Sequence, residues 1–254
     1  MNKIKIGILG FGKTGRVVTN EFLKDPAFDV KWVIQKSKEN TGKYASRLLG
    51  FEYDCARIFS SEDLPDNFYK ENFVDIIVDF SHQKGYAGYM QASDFGTRII
   101  SAISRYNESD IENLKKMSEN TAVLYSPNIT LGINFLLVAS QILQKIAPHA
   151  DIEIVEEHFR EKEETSGTAL KLANALGLEE KRLNSIRVGG IVGKHEIIFG
   201  LPNQTIRLIH ESINKAAFGQ GAIFAAKWLF NKPNGYYSME KIIIDMFNDN
   251  IPVY

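Results

Sequence analysis

The motif Gly10-Phe11-Gly12-Lys13-Thr14-Gly15 constrains this chain more than any other stretch. It follows residues 3–9, a β-branched run of the kind buried on both faces in a parallel sheet. Residues 16–24 come directly after it and fit a helix. Glycines at such a junction permit a tight turn, let backbone approach a pyrophosphate, and let helix pack close to strand. Free amides at the helix start would then face phosphate oxygens. The motif predicts a dinucleotide site on Gly10, Phe11, Gly12, Lys13, Thr14 and Gly15. A turn that only reverses the chain is the alternative reading.

The alternation of strand and helix continues downstream. Residues 28–34 form the next expected strand and run into Gln35-Lys36-Ser37-Lys38, with no carboxylate before Glu39. An acid here would favour NAD through the ribose 2′-hydroxyl. Lysines and a hydroxyl suit a 2′-phosphate instead, so Lys36 points to NADPH, with NADH as the alternative and a solvated loop as the competing explanation. Residues 40–72 carry no strong motif. Strands are expected at 74–81, 98–103 and 122–125, with helices at 84–95 and 108–120. The strand ends at 79–81, 101–104 and 126–128 would share the carboxyl edge of the sheet, where open α/β sheets bind ligands. The fold expected over residues 1–128 is α/β, a Rossmann-type doubly wound nucleotide domain.

A second domain is expected over 129–235. Residues 130–146 read as a helix stopped before Pro148. In residues 152–159 a period of two puts Ile152, Ile154, Glu156 and His158 on one face. A charged loop with Lys162 follows, and Thr165-Ser166-Gly167-Thr168 precedes a helix over 169–176. Residues 185–200 and 204–212 read as strands joined by Leu201-Pro202-Asn203, and 221–229 as a helix. Together these predict an α+β substrate and oligomerisation domain with a mostly antiparallel sheet and one inserted helix. A histidine and a lysine beside a helix start suit reduction of a C=N or C=C bond in an acidic substrate: one group supplies a proton, the other stabilises charge. A solvated charge run before a capped helix is the plainer reading.

Composition narrows the function classes. A formal net charge of −1 provides no basic field for nucleic acid. The single cysteine excludes an intramolecular disulfide framework, and no Cys/His cluster has metal-ligand spacing. The apolar run near residue 4 is short and cut by glycines, so neither a leader nor a membrane span is expected, and the location expected is cytoplasmic.

Several motifs occur together here: Val78-Asp-Phe-Ser81, Pro127-Asn-Ile-Thr-Leu-Gly-Ile-Asn134, the block 152–169, Arg187-Val-Gly-Gly-Ile-Val-Gly193 with His195-Glu196, and Phe218-Gly-Gln-Gly-Ala222 running into Trp228. With them the chain resembles the 4-hydroxy-tetrahydrodipicolinate reductase (dihydrodipicolinate reductase) family over most of its length. The resemblance implies NAD(P)H-dependent reduction of a cyclic unsaturated dicarboxylate in lysine and diaminopimelate biosynthesis. It implies His158 and Lys162 as catalytic residues, and Gly167 and Thr168 as the substrate-carboxylate pair. It implies Ser101, Ala102, Ile103, Ser126, Pro127, Asn128 and Ile129 along the cofactor. It further implies a homotetramer, and a return of residues 236–254 to the nucleotide domain. The sequence departs from the family pattern at Phe159, where a second histidine is usual, at Glu163-Glu164-Thr165, at Ser101-Ala102-Ile103-Ser104 and at Gln35-Lys36. A reductase of another cyclic imine or amino acid, and a nucleotide sensor without chemistry, are the alternative functions.

Overall fold

The computed structural model describes residues 3–250. In chain order the first part comprises β1 (Ile4–Leu9), α1 (Lys13–Lys24), β2 (Phe28–Gln35), α2 (Ala45–Leu48), β3 (Arg57–Ser60), α3 (Phe68–Glu71) and β4 (Ile76–Asp79). It continues with α4 (Met90–Asp94), β5 (Arg98–Ser101), α5 (Glu108–Met117) and β6 (Ala122–Tyr125). Then come α6 (Leu131–Ile146), β7 (Asp151–His158), α7 (Gly167–Ala175), β8 (Leu183–Arg187), β9 (Lys194–Leu201) and β10 (Gln204–Glu211). The chain closes with α8 (Ala216–Leu229), β11 (Gly235–Tyr237) and α9 (Met239–Asn250).

Two units result. The first takes the chain through Thr130 together with Phe218–Ile242, and the second takes Leu131–Ala217 and the chain from Ile243. In the first unit the strands run β11-β6-β5-β4-β1-β2-β3, every adjacent pair parallel. The order reverses between β1 and β4, which makes the crevice above their carboxyl ends the switch point. Apolar cores lie on both faces. One joins Ile6, Ile8, Val18, Phe22 and Val33 to Ala222, Ala225 and Leu229 of α8; the other joins Trp32, Ile77, Ile99 and Val123 to Tyr89 and Leu114. The β1–β2 register shifts at Gly7, where a Cβ would lie 2.2 Å from the Trp32 ring, so the missing side chain makes room for the indole.

Two expectations shift here. Residues 218–235 were expected in the second unit, but α8 buries its small residues in the first core and β11 pairs with β6. A return of 236–254 to the nucleotide domain is expected; in the structure the first unit takes the chain through Ile242 and the second from Ile243, and residues 251–254 lie outside the described residues.

The second sheet runs β10-β9-β7-β8. It is mixed rather than mostly antiparallel: β10–β9 and β9–β7 are antiparallel, while β7–β8 is parallel. Two features of the chain cause this. The helix α7 carries the chain back so that β8 starts beside β7 in the same sense. The stretch 185–200, expected as one strand, breaks at 188–193, where Gly189 takes φ +55°. That segment passes the end of β7, with Val188 N–H donating to the His158 carbonyl at 3.0 Å and Arg160 N–H to the Gly189 carbonyl at 3.1 Å. The core beneath joins Ile152, Ile154, Ile197 and Phe199 to Ile133, Leu136 and Leu137 of α6 and Ala169 and Leu172 of α7.

Candidate active site

At the switch point of the first unit, Gly10 takes φ +94°, and a Cβ on it would lie 2.7 Å from the Phe80 carbonyl oxygen. Glycine alone fits there. Gly15 is buried against Gly10, where a Cβ would stand 2.0 Å from the Gly10 carbonyl oxygen, so it sets the close approach of α1 to β1. Gly12 has nothing within 4 Å of its Cβ position and precedes α1 with no side-chain cap and no acid in the first helical turn. Uncapped amides, an open approach and no local negative charge fit a pyrophosphate.

Two cavities flank this turn. One of about 530 Å³ is lined by Gly10, Phe11, Gly12 and Lys36; the other, about 460 Å³, by Thr14, Ala102, Ile103, Pro127 and Ile129. Phe80, Ser81 and His82 line both. The arrangement has the room and the donors for a dinucleotide. Lys38 pairs with Asp63, which leaves Lys36 as the lysine of that loop at the cavity wall. The remaining predicted cofactor residues line neither cavity. Lys13 is exposed, Ser101 is buried with its hydroxyl 3.0 Å from the Tyr106 hydroxyl, and Ser126 donates to the Asn128 carbonyl at 2.6 Å. Beneath the shared wall, the buried Asp79 accepts from the Ser81 amide, the Ser81 hydroxyl and the Tyr89 hydroxyl. Burial raises its carboxyl above the ordinary value despite those bonds.

In the second unit, Ile152, Ile154, Glu156 and His158 are buried, as the alternation predicts. His158 ends β7 with Nδ1 on Glu156 Oε2. The Glu156 carboxylate is fully buried and accepts both Arg187 Nη atoms, at 2.9 and 2.6 Å, and the Ser185 hydroxyl at 2.6 Å. Burial alone would push this carboxyl up; the hydrogen bonds from Arg187, Ser185 and His158 outweigh it and hold it at about 2. Arg187 also donates to the Lys162 carbonyl at 2.8 Å and the Glu164 carbonyl at 3.0 Å. Lys162 is half-buried, and its amine makes no hydrogen bond or ion pair among the described residues.

Ser166 precedes α7 but does not cap it, because its hydroxyl meets His195 Nε2 at 2.9 Å. Gly167, the first residue of α7, is exposed with nothing within 4 Å of its Cβ position, and Thr168 follows half-buried. The His195 ring stands edge-on to His158, 5.4 Å between centroids, with its Nδ1 buried and unpartnered. Burial lowers the His195 pKa to about 4, and the neighbouring His158 adds to the effect. Phe159 is 41% exposed beyond the end of β7.

His158, the Lys162 loop and the start of α7 therefore gather at one end of the second sheet. Sequence reasoning gave no site role to Glu156, Arg187, Ser166 or His195. Glu156 shares the buried face of His158, a readable signal, whereas Arg187 reaches it across 31 residues and left none.

A parallel sheet with an open glycine turn at its switch point, joined to a mixed-sheet unit with a buried histidine–carboxylate–arginine cluster, defines a two-unit chain of the Rossmann class. Family models described as dihydrodipicolinate reductase, N-terminus and C-terminus, match residues 4–129 and 130–243. This chain belongs to the dihydrodipicolinate reductase family. It is 30% identical to the 4-hydroxy-tetrahydrodipicolinate reductase of Caldanaerobacter subterraneus subsp. tengcongensis, over 91% of this chain and 94% of that one. It is 33% identical to that of Thermosipho africanus, over 72% and 84%. The fold matches a dipicolinate-bound dihydrodipicolinate reductase from Paenisporosarcina sp. TG-14 with a TM-score of 0.78 at 19% identity, covering 95% and 100% of the two chains.

Proposed function

We propose that this protein is an NAD(P)H-dependent 4-hydroxy-tetrahydrodipicolinate reductase of lysine and diaminopimelate biosynthesis. The observation that carries the reading is the gathering of His158, the Lys162 loop and an open helix start at one sheet end, in a chain whose near-full-length relatives bear that name. The conversion replaces a hydroxyl by hydrogen, so a hydride and a proton enter and water leaves. A bound reduced nicotinamide supplies the hydride.

The chain's own residues account for the rest. Gly10, Phe11, Gly12 and the first turn of α1 hold the diphosphate, and Lys36 meets a 2′-phosphate, which favours NADPH over NADH. Thr14, Ala102, Ile103, Pro127 and Ile129 line the remainder of the cofactor site. Ser101, Ser126 and Asn128 support those loops from beneath. Gly167 and Thr168 receive a substrate carboxylate at the start of α7, where the helix dipole favours an anion. The Lys162 amine delivers the proton, and His158 Nε2 stabilises charge on the substrate. The apolar side chains left exposed in the second unit, Ile186, Val188, Val192 and Ile209, support assembly into a homotetramer.

Oxidation of NADPH in the presence of freshly generated 4-hydroxy-tetrahydrodipicolinate tests the activity. Turnover is expected with this substrate and absent with other cyclic imino acids. Preference for another imine would transfer the reading to a reductase of another cyclic imine or amino acid, the alternative that the departure at Phe159 raises.

A further inference from the structure

The described residues place Glu156 and Arg187 between the two groups that the proposed chemistry requires. Glu156 Oε2 meets His158 Nδ1 and Arg187 Nη1; its Oε1 takes Arg187 Nη2 and Ser185. An oxygen pair already accepting four donors, two from Arg187, the Ser185 hydroxyl and the Ser166 amide at 3.4 Å, is an ionised carboxylate and can only accept again. Nδ1 of a neutral His158 must therefore carry the proton. The other nitrogen, Nε2, turns toward Gly193, where a Cβ would come within 3.0 Å of it. The second arm of the same pair is the guanidinium, whose remaining N–H groups bind the carbonyls of Lys162, Glu164 and Ile186.

We propose that Glu156 and Arg187 are positioning residues for the reaction. The carboxylate locks His158 in the Nδ1–H tautomer with Nε2 presented past Gly193, and the guanidinium ties the Lys162 loop to the same carboxylate. One buried ion pair thus sets a histidine on β7 and a lysine in the following loop in common register. The mechanistic half of this inference rests on the reductase reading above; the tautomer half does not. Around the imidazole lie Arg187 from β8 and His195 from β9, and Arg187 also binds the Lys162 carbonyl in the loop after β7, so Glu156 is the carboxylate that faces both the imidazole and the guanidinium.

The test is long-range ¹H–¹⁵N NMR of the histidine side chains in the full-length protein, with His158→Asn to assign the signal. Wild type is expected to show the Nδ1–H tautomer; an Nε2–H tautomer overturns the proposal. In Glu156→Gln the carboxylate that holds Nδ1–H is gone, and the tautomer is expected to become mixed, with Nε2–H populated. In the same variant kcat is expected to drop roughly 100-fold, as for other misplaced histidines, with the KM for NADPH within about twofold of wild type. A folded Glu156→Gln protein with unchanged tautomer and unchanged kcat also overturns it. Should that variant not fold, the wild-type tautomer decides. Arg187→Lys keeps the charge but cannot bridge carboxylate and carbonyls, and is expected to lower kcat while leaving the tautomer in place. Lack of turnover in wild type would remove the reductase reading and leave the NMR result standing.

Discussion

At Gly193 a single hydrogen keeps His158 Nε2 uncovered. A methyl there would stand 3.0 Å from that nitrogen, tighter than ordinary contact, so Gly193→Ala is expected to lower kcat about tenfold by displacing the ring. Stopped turnover assays beside an unchanged circular dichroism spectrum would check this. In the proposed cofactor site the corresponding residue is Lys36, which lines the cavity while Lys38 is engaged by Asp63. One charged hydrogen bond is worth about 1.5–3 kcal/mol, so Lys36→Ala should raise the KM for NADPH roughly tenfold or more. The KM for NADH should not move. Equal effects on both cofactors would show that Lys36 does not read the 2′-phosphate.

At the scale of elements, the strands β7 and β9 carry an acid-sensitive pair of groups. His195 on β9 is held neutral to about 4, mainly by burial, against an ordinary 6.5. Between those values the unfolded chain takes up a proton that the folded one refuses, so stability falls as pH drops from 6.5 to about 4. The full loss is about 3 kcal/mol, taking roughly 1.36 kcal/mol per unit. Glu156 on β7 is depressed from 4.5 to about 2, so its contribution is complete above 4.5 and is lost as pH falls toward 2. Denaturant melts across pH should therefore show a continuous decline below 6.5, and His195→Asn should flatten its upper part. A wild-type profile flat between 6.5 and 4.5 would contradict the burial of a neutral His195.

The elements also show what could be read from the chain. β7 was legible, with its buried face, because period-two alternation is a local property. The edge strand β3 was not: its four residues, Arg57-Ile-Phe-Ser60, are too few to carry a period. The break at 188–193 was not legible either, since its meaning lies in crossing the end of β7, and the parallel β7–β8 pairing is non-local in the same way. For the site, residue types near a helix start were visible, whereas the Glu156–Arg187 pair depends on β8 lying beside β7.

For the whole molecule, the first unit supplies a nucleotide-type crevice and the second a buried ion pair beside an open helix start. No helix among the described residues is long and apolar enough to cross a membrane. The homotetramer proposed on the exposed apolar side chains of the second unit predicts a light-scattering mass of four 28.7 kDa chains. Ile209→Asp, which charges that surface, should reduce the mass; a monomer in wild type would reject the assembly. The central claim is that this chain uses Lys162 to reduce 4-hydroxy-tetrahydrodipicolinate. It is tested most directly by NADPH oxidation with that substrate, comparing wild type with Lys162→Ala. The account predicts turnover in wild type and a loss of roughly 100-fold or more in kcat for the variant, with NADPH binding intact. Wild-type rates retained by Lys162→Ala would contradict it.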